Sequence, residues 1–265
     1  MAEKPAPRTL LIVTASAVPA QSPRRGERAA RVRDLLREQI LTDRYAGRPL
    51  PSEHELMLEY LASRGQIREA LNQLREEGFV QRRQGAGTFV VNSKARHRFD
   101  RVHGVGDSFR QRPKVRGVLL SVSRVPAPGP VAEVLRLDPG RPCAYVEFRT
   151  YVDGAPFNVN NSYLPESIAK VLTPGIFEGD FYEFLEAHGL AVVSGDLMVE
   201  AINADELTAA ALGIPCGTAV MLFRRVLFSA GDVPVELGFC RCRADRLALA
   251  VKLPRRREES LWLAS

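Results

Sequence analysis

Two helix-start signals, eleven residues apart, constrain this chain more than any other feature. Ser52 stands three positions before Glu55, and Ser63 stands three positions before Gln66. In each pair the serine hydroxyl can accept from a backbone N–H of the first turn. The later side chain can reach back to the serine N–H, which closes a capping box. The first box opens a helix over residues 52–61, with Leu56 and Tyr60 on one face. The second opens a helix in which Ile67, Ala70, Leu71 and Leu74 fall at the spacing of one buried face, with Gly78 placed to end it. Helices begun so close together must turn sharply against each other, which is helix-turn-helix spacing.

The residues around this pair extend the reading. Phe79 and Val80 begin a strand, Gly85 and Gly87 bracket a tip, and Thr88 to Val91 return. Neither the Rossmann glycine spacing nor a Lys-Ser/Thr after the glycines is present, so the tip reads as a hairpin rather than a nucleotide loop. A first helix is expected over about Glu27 to Thr42, with Ala29, Val32, Leu36 and Ile40 inward and Arg28, Arg31, Arg33 and Arg37 around the rest. The exposed start of the later helix carries Arg64, Gly65, Gln66 and Arg68. Arginine can grip guanine O6 and N7, glutamine can pair with adenine, and glycine permits close approach. Arg82 and Arg83 near the tip suit phosphate contact. The plainer alternative is a solvated helix face over an ordinary buried one.

Taken together, Leu50-Pro51-Ser52-Glu53, Glu55-Leu56, Ser63-Arg64, Ile67-Arg68-Glu69-Ala70-Leu71, Leu74, Glu77-Gly78 and Gly85-x-Gly87-Thr88-Phe89-Val90 resemble the GntR family of bacterial transcription regulators. The resemblance implies a winged helix-turn-helix in which Arg64, Gln66 and Arg68 contact bases and phosphates, and Gly85 and Gly87 border the minor groove. Arg31, Ser52, Glu53, Ser63, Gly65, Arg82, Arg83 and Thr88 complete the set expected to face DNA. The chain departs from the family at Gln66, where a small polar residue is usual, at Ala62, where Val is usual, and at Leu61, where a polar residue or Gly is usual.

The length of 265 residues accommodates two domains. Residues 1–26 read as a disordered tail, 27–93 as the DNA-binding head, 94–115 as a basic linker, 116–255 as a second domain and 256–265 as a C-terminal tail. The second domain reads as mixed α and β. Strands are expected at 118–125, 144–152, 157–163, 192–201, 218–229, 235–242 and 247–253. Helices are expected at 131–137, ended by Asp138-Pro139-Gly140, and at 167–172, 180–188 and 203–212, the last capped by Asn203. Asp153-Gly154 and Gly231-Asp232 mark hairpins. The predicted fold class is a two-domain α/β protein whose second domain is an antiparallel sheet with helices on one face.

This second part is similar to the UTRA sensor domain of the HutC branch of the same family, whose fold is that of chorismate lyase. Arg149 through Asp153-Gly154-x-Pro156 to Ser162-Tyr163-Leu164-Pro165, then Val235-Glu236 and Arg243-x-Asp245-Arg246, carry the likeness. It implies a small polar effector held by Arg149, Asn158 or Asn160, Tyr163 and Glu236, with Arg241 and Arg243 as further candidates. Arginine would clasp a carboxylate or phosphate, and Glu236 would accept hydroxyls or pair with an amine. Val152, Asn158, Asn160 and Cys242 stand where relatives carry Arg, acidic residues and Tyr. The usual amino-sugar and histidine-pathway ligands therefore do not carry over directly.

Other function classes find little support. A net charge of +6 favours a polyanionic partner. The histidines, His54, His97, His103 and His188, are scattered, and no serine elbow or metal pair accompanies them. Glu147 and Glu236 are the only carboxylates that suggest a hydrolase pair, and an enzyme is not expected. Cys143, Cys216, Cys240 and Cys242 match no metal spacing and read as free thiols, with a redox sensor as the rival. No cofactor or metal is expected. Leu10 to Val13 is too short and Pro-broken for a signal peptide, and no run spans a bilayer, so a cytoplasmic protein is expected. The expected partners are a palindromic duplex operator, a small polar metabolite and a second copy of the chain. The rival is a constitutive architectural or plasmid-control DNA-binding protein whose second domain only dimerises.

Overall fold

The computed structural model describes residues 25–45, 48–91, 94–99, 101–104, 115–178 and 181–253. Most of the N-terminal tail, the loop residues Ala46 and Gly47, residues 105–114 of the connection and the Arg255–Arg257 end with Trp262 lie outside the described residues.

The head contains α1 (Arg25–Leu41), α2 (Glu53–Glu59), α3 (Arg64–Glu76) and a hairpin of β1 (Val80–Arg83) and β2 (Gly87–Val90). Both capping boxes form. Ser52 N–H donates to Glu55 Oε2 at 2.7 Å, and Ser63 N–H donates to Gln66 Oε1 at 2.9 Å. Val32, Leu36 and Ile40 of α1 bury against Leu56 of α2 and Ile67, Ala70 and Leu74 of α3. The hairpin is antiparallel, with Arg82 opposite Thr88, and Gly85 and Gly87 take φ of +74° and +106° at its tip. Leu50 N–H donates to the Thr88 carbonyl at 2.7 Å, which ties the chain before α2 to the wing.

Beyond the head come β3 (Ala95–Arg98), β4 (Val115–Pro126), α4 (Gly129–Leu135), β5 (Pro142–Val152), β6 (Ala155–Pro165), α5 (Glu166–Ala169), β7 (Gly175–Glu178), α6 (Phe181–Ala187), β8 (Ser194–Asn203), α7 (Glu206–Leu212), β9 (Ala219–Ser229), β10 (Val233–Arg243) and β11 (Leu247–Ala250). Seven strands form an antiparallel sheet in the order β7-β4-β5-β6-β10-β9-β8. The β5–β6 and β9–β10 hairpins turn at the expected dipeptides, where Asp153, Gly154, Gly231 and Asp232 all take positive φ.

The structure corrects four expectations. Helices cover both faces of the sheet, not one. Ile168, Leu172, Phe181 and Leu185 pack on Ala144, Val146 and Phe148, whereas Val131, Ala132 and Leu135 of α4 pack with Cys143, the alternate residue of the same strand. α4 stops at Arg136, which is left-handed at φ +53°, before Asp138-Pro139-Gly140 is reached. The cap of α7 is Asp205, whose carboxylate accepts from Thr208 N–H at 2.6 Å, and not Asn203, the last residue of β8. Fourth, the connection is not wholly a linker. Residues 95–98 form β3, which pairs in parallel with β11 and joins the core containing Val152, Phe157 and Phe223.

Two non-glycine residues of the head are left-handed, Asp43 at φ +59° and Leu61, and the strain falls on the branched one. Leu61, in the turn between α2 and α3, has φ +49°, and it is 94% exposed. A left-handed conformation costs a branched residue roughly 1 kcal/mol or more, and here no burial offsets it. Leu61→Gly should therefore raise stability by roughly 1 kcal/mol in denaturant unfolding. A lowered midpoint would contradict this account.

Candidate functional site

The start of α3 presents a positively charged face. Arg64 and Arg68 are exposed, while Ile67 between them is buried, so the core fixes which side faces out. Arg68 is steered by Glu53, whose carboxylate lies 3.8 Å from its Nε. Gln66 is less free than expected, because its carbonyl oxygen accepts the Ser63 N–H. Ser52 and Ser63 are likewise engaged as caps. On the wing, Arg82 is exposed, and Arg83 lies over the Phe89 ring at 4.7 Å. Gly65 and Thr88 are half-buried, and Arg31 is exposed on α1.

The second domain holds a cavity of about 450 Å³ on the inner face of its sheet. Its floor is Phe148 and Thr150 of β5, Asn158 and Asn160 of β6, Phe223, Arg225 and Leu227 of β9, and Cys240 of β10. Alternation along each strand places these side chains on one face. Phe181 and Tyr182 of α6 form one wall, and Gly195 to Leu197 with Val199 of β8 form another. The remaining wall is the segment from the head: His97, Phe99, Arg101, Val102, His103 and Gly104. His97 is buried, its ring 4.4 Å from that of His103 and edge-on to Phe99.

The floor contains a buried ion pair. Arg225 donates from Nε and Nη2 to the two oxygens of Glu236, both at 2.7 Å, and Ser162 donates to the same carboxylate. Burial works against the Arg225 charge, but Glu236 more than offsets this and holds the guanidinium protonated. Gly238 lies between them on β10. A Cβ there would come within 2.8 Å of Glu236 Oε1 and 3.0 Å of Arg225 Nε, so only glycine leaves room for the pair. Asn160 donates to Asn158 Oδ1 at 2.7 Å, which continues the polar row. The Cys240 and Cys242 sulfurs lie 3.2 Å apart. The Cys242 hydrogen bond draws the Cys240 thiol below its usual range, while burial pushes Cys242 well above it. All four cysteines are free.

The sequence-predicted effector residues divide between the two faces. Asn158 and Asn160 line the cavity. Glu236 lies beneath it, completely buried against Arg225. Arg149, Tyr163, Arg241 and Arg243 do not line it, because their register places them on the opposite face or at the sheet end. There Tyr145 and Glu147 bond to Asn161, which Arg241 Nη1 approaches at 3.5 Å, and Arg243 is paired with Asp245. Sequence reasoning missed Phe148, Phe181, Phe223, Arg225 and His97. Two signals were available: the Arg224-Arg225 pair inside the apolar strand Val220 to Phe228, one of which must face inward, and the in-out alternation of Ala95, Arg96, His97 and Arg98.

A family model described as bacterial regulatory proteins, gntR family, matches residues 28–90, and one for the UTRA domain matches residues 110–248. The chain belongs to the gntR family of bacterial regulatory proteins. It is a DNA-binding transcription regulator with a ligand-responsive UTRA domain, not an enzyme. Among relatives of this family, the probable fructoselysine utilization operon transcriptional repressor of Escherichia coli (strain K12) is 30% identical, covering 84% of this chain and 93% of its own. The HTH-type transcriptional repressor PhnF of Mycolicibacterium smegmatis is 27% identical over 79% of this chain and 86% of its own. The crystal structure of PhnF from Mycobacterium smegmatis shares the fold at a TM-score of 0.60 and 23% identity, covering 85% of this chain and 100% of that one.

The buried pair makes a stability prediction for this gntR-family chain. Glu236→Ala leaves a buried guanidinium without its partner and should cost about 3–5 kcal/mol in denaturant unfolding. Replacing both partners, Arg225→Met with Glu236→Leu, should recover most of that loss. A single substitution costing under about 1 kcal/mol would contradict the pairing.

Proposed function

We propose that this chain is a cytoplasmic, homodimeric repressor of the HutC branch that binds a palindromic operator and leaves it when a small molecule fills the sheet cavity. The observation that carries the reading is the continuity between head and cavity. Val90 ends the wing hairpin, Lys94 lies with its ammonium 5.5 Å from the Phe79 ring of the head, and β3 begins at Ala95. A ligand touching residues 97–104 therefore touches the chain that leaves the reading head. It need only favour one arrangement of that segment to change operator affinity. A coupling of about 1–3 kcal/mol changes affinity roughly 5–150-fold.

In this reading Arg64 and Arg68 contact base edges and Arg82 and Arg83 contact phosphates, with Arg31, Gly65, Gly85, Gly87 and Thr88 close to the backbone. Ser52, Ser63 and Gln66 fix the helix starts, and Glu53 aims Arg68. Two heads related by two-fold symmetry would read half-sites one helical turn or a multiple apart. The constitutive alternative gives no reason for a polar-floored cavity whose wall is the connecting segment.

The test begins with genomic fragments captured by the full-length protein at moderate salt, where non-specific phosphate binding is suppressed. A palindromic motif is expected. On that motif Arg64→Ala or Arg68→Ala should weaken binding at least about tenfold. Arg82→Ala should weaken all sequences alike and lower the salt slope by about one. Sequence-selective binding that survives loss of both Arg64 and Arg68 would overturn the assignment. Operator affinity unchanged by every metabolite of the neighbouring genes' pathway would overturn the switch.

A further inference from the structure

We infer that the cavity selects an uncharged ligand with a flat aromatic body and an amide-like or hydroxyl edge, and rejects its anionic counterpart. This rests on reading the cavity as the effector site. A guanidinium on the floor of a ligand cavity invites a carboxylate or phosphate. Here the two-pronged edge of Arg225, Nε with Nη2, is already closed by Glu236. The pair sits in a sheet that has given up a side chain at Gly238 to accommodate it, so it is built into the fold. The remaining terminal nitrogen, Nη1, meets Asn160 Oδ1 at 3.5 Å, and Glu236 already matches the charge of the guanidinium, so an incoming anion would shed its water for a cation that is neutralised beside it. The exposed charges at the rim, Arg101 and Asp196, are of opposite sign.

What the cavity offers instead is aromatic surface and amide edges. Phe99, Phe148, Phe181, Tyr182 and Phe223 line it on three sides. Phe148 and Phe181 stack on each other with centroids 4.0 Å apart, which makes them one continuous aromatic wall, with the Arg225 guanidinium carbon 5.8 Å from the Phe181 centroid. Asn158 and Asn160 supply the polar edge, through the amide groups that the Asn160 Nδ2 to Asn158 Oδ1 bond leaves over. An amide carries both a donor and an acceptor, so it discriminates by hydrogen-bond pattern and not by charge. A volume of about 450 Å³ suits a bicyclic aromatic with a short substituent.

A matched pair of probes tests this: indole-3-acetamide and indole-3-acetate, alike in shape and different in charge. Calorimetric titration of the full-length protein with each probe in the same buffer reads both affinities. The amide should bind with a dissociation constant below about 1 mM, and at least about tenfold more tightly than the acetate. Phe223→Leu, which keeps an apolar side chain of similar volume, should weaken the amide several-fold. Equal or tighter binding of the acetate, binding of neither probe, or amide binding indifferent to Phe223→Leu would each overturn the inference. Operator binding is read separately. Amide binding that leaves operator affinity unchanged supports the ligand class while removing the switch. Release of the operator by the acetate at lower concentration than by the amide supports the switch while removing the ligand class.

Discussion

The pairing of β3 with β11 is the interaction on which the functional architecture depends. It is short: four residues opposite four, framed by Ala95 N–H to the Arg246 carbonyl and Phe99 N–H to the Ala250 carbonyl. Two strands of that length are marginal alone. They hold because Ala95 and His97 turn inward while Arg96 and Arg98 stay in solvent. Ala95 and Leu247 then bury with Phe157, Phe223 and Cys242 at the end of the large sheet. The segment belongs to the sensor by packing and leads to the head by covalent connection. A short element placed between two sites suits a switch, since a ligand acts by favouring one of its arrangements.

A second constraint shapes the sensor from within. The Arg225–Glu236 pair is a costly thing to bury, and such pairs add little net stability over apolar packing. Its consequence is geometric. It bridges β9 and β10 at a point where Gly238 leaves space, and it sets a carboxylate against the guanidinium that lines the cavity. The same interaction that organises the floor sets its electrostatic character. In the head, the capping boxes act similarly. Ser63 and Gln66 fix where α3 begins, and so which arginines face outward.

The head was readable residue by residue, because its signals are local. Capping boxes, a period-3.6 apolar face and a Gly-bracketed tip lie within 40 positions and need no knowledge of the rest of the fold. The sheet's strands and hairpins were readable for the same reason. What escaped was non-local. Helix placement on both faces follows from how alternate residues of β5 are covered, and the strand itself does not state that. β7 and β3 are four-residue elements whose identity comes from their partners. Glu236 was legible as a significant carboxylate but not as an internal one, because its partner Arg225 sits across a hairpin. Arg149 and Arg241 were credible anion ligands by type, yet strand register turns them away from the cavity.

The account's central claim is that the segment joining head to sensor responds to both. Hydrogen exchange read at residues 95–104, with and without an operator fragment, tests it most directly. DNA would contact only the head, so an uncoupled protein leaves these amides untouched. The account predicts that exchange across β3 and the cavity wall changes when the operator binds, and changes in the opposite sense when a cavity ligand binds. Identical exchange at these amides in the free and operator-bound protein would contradict it.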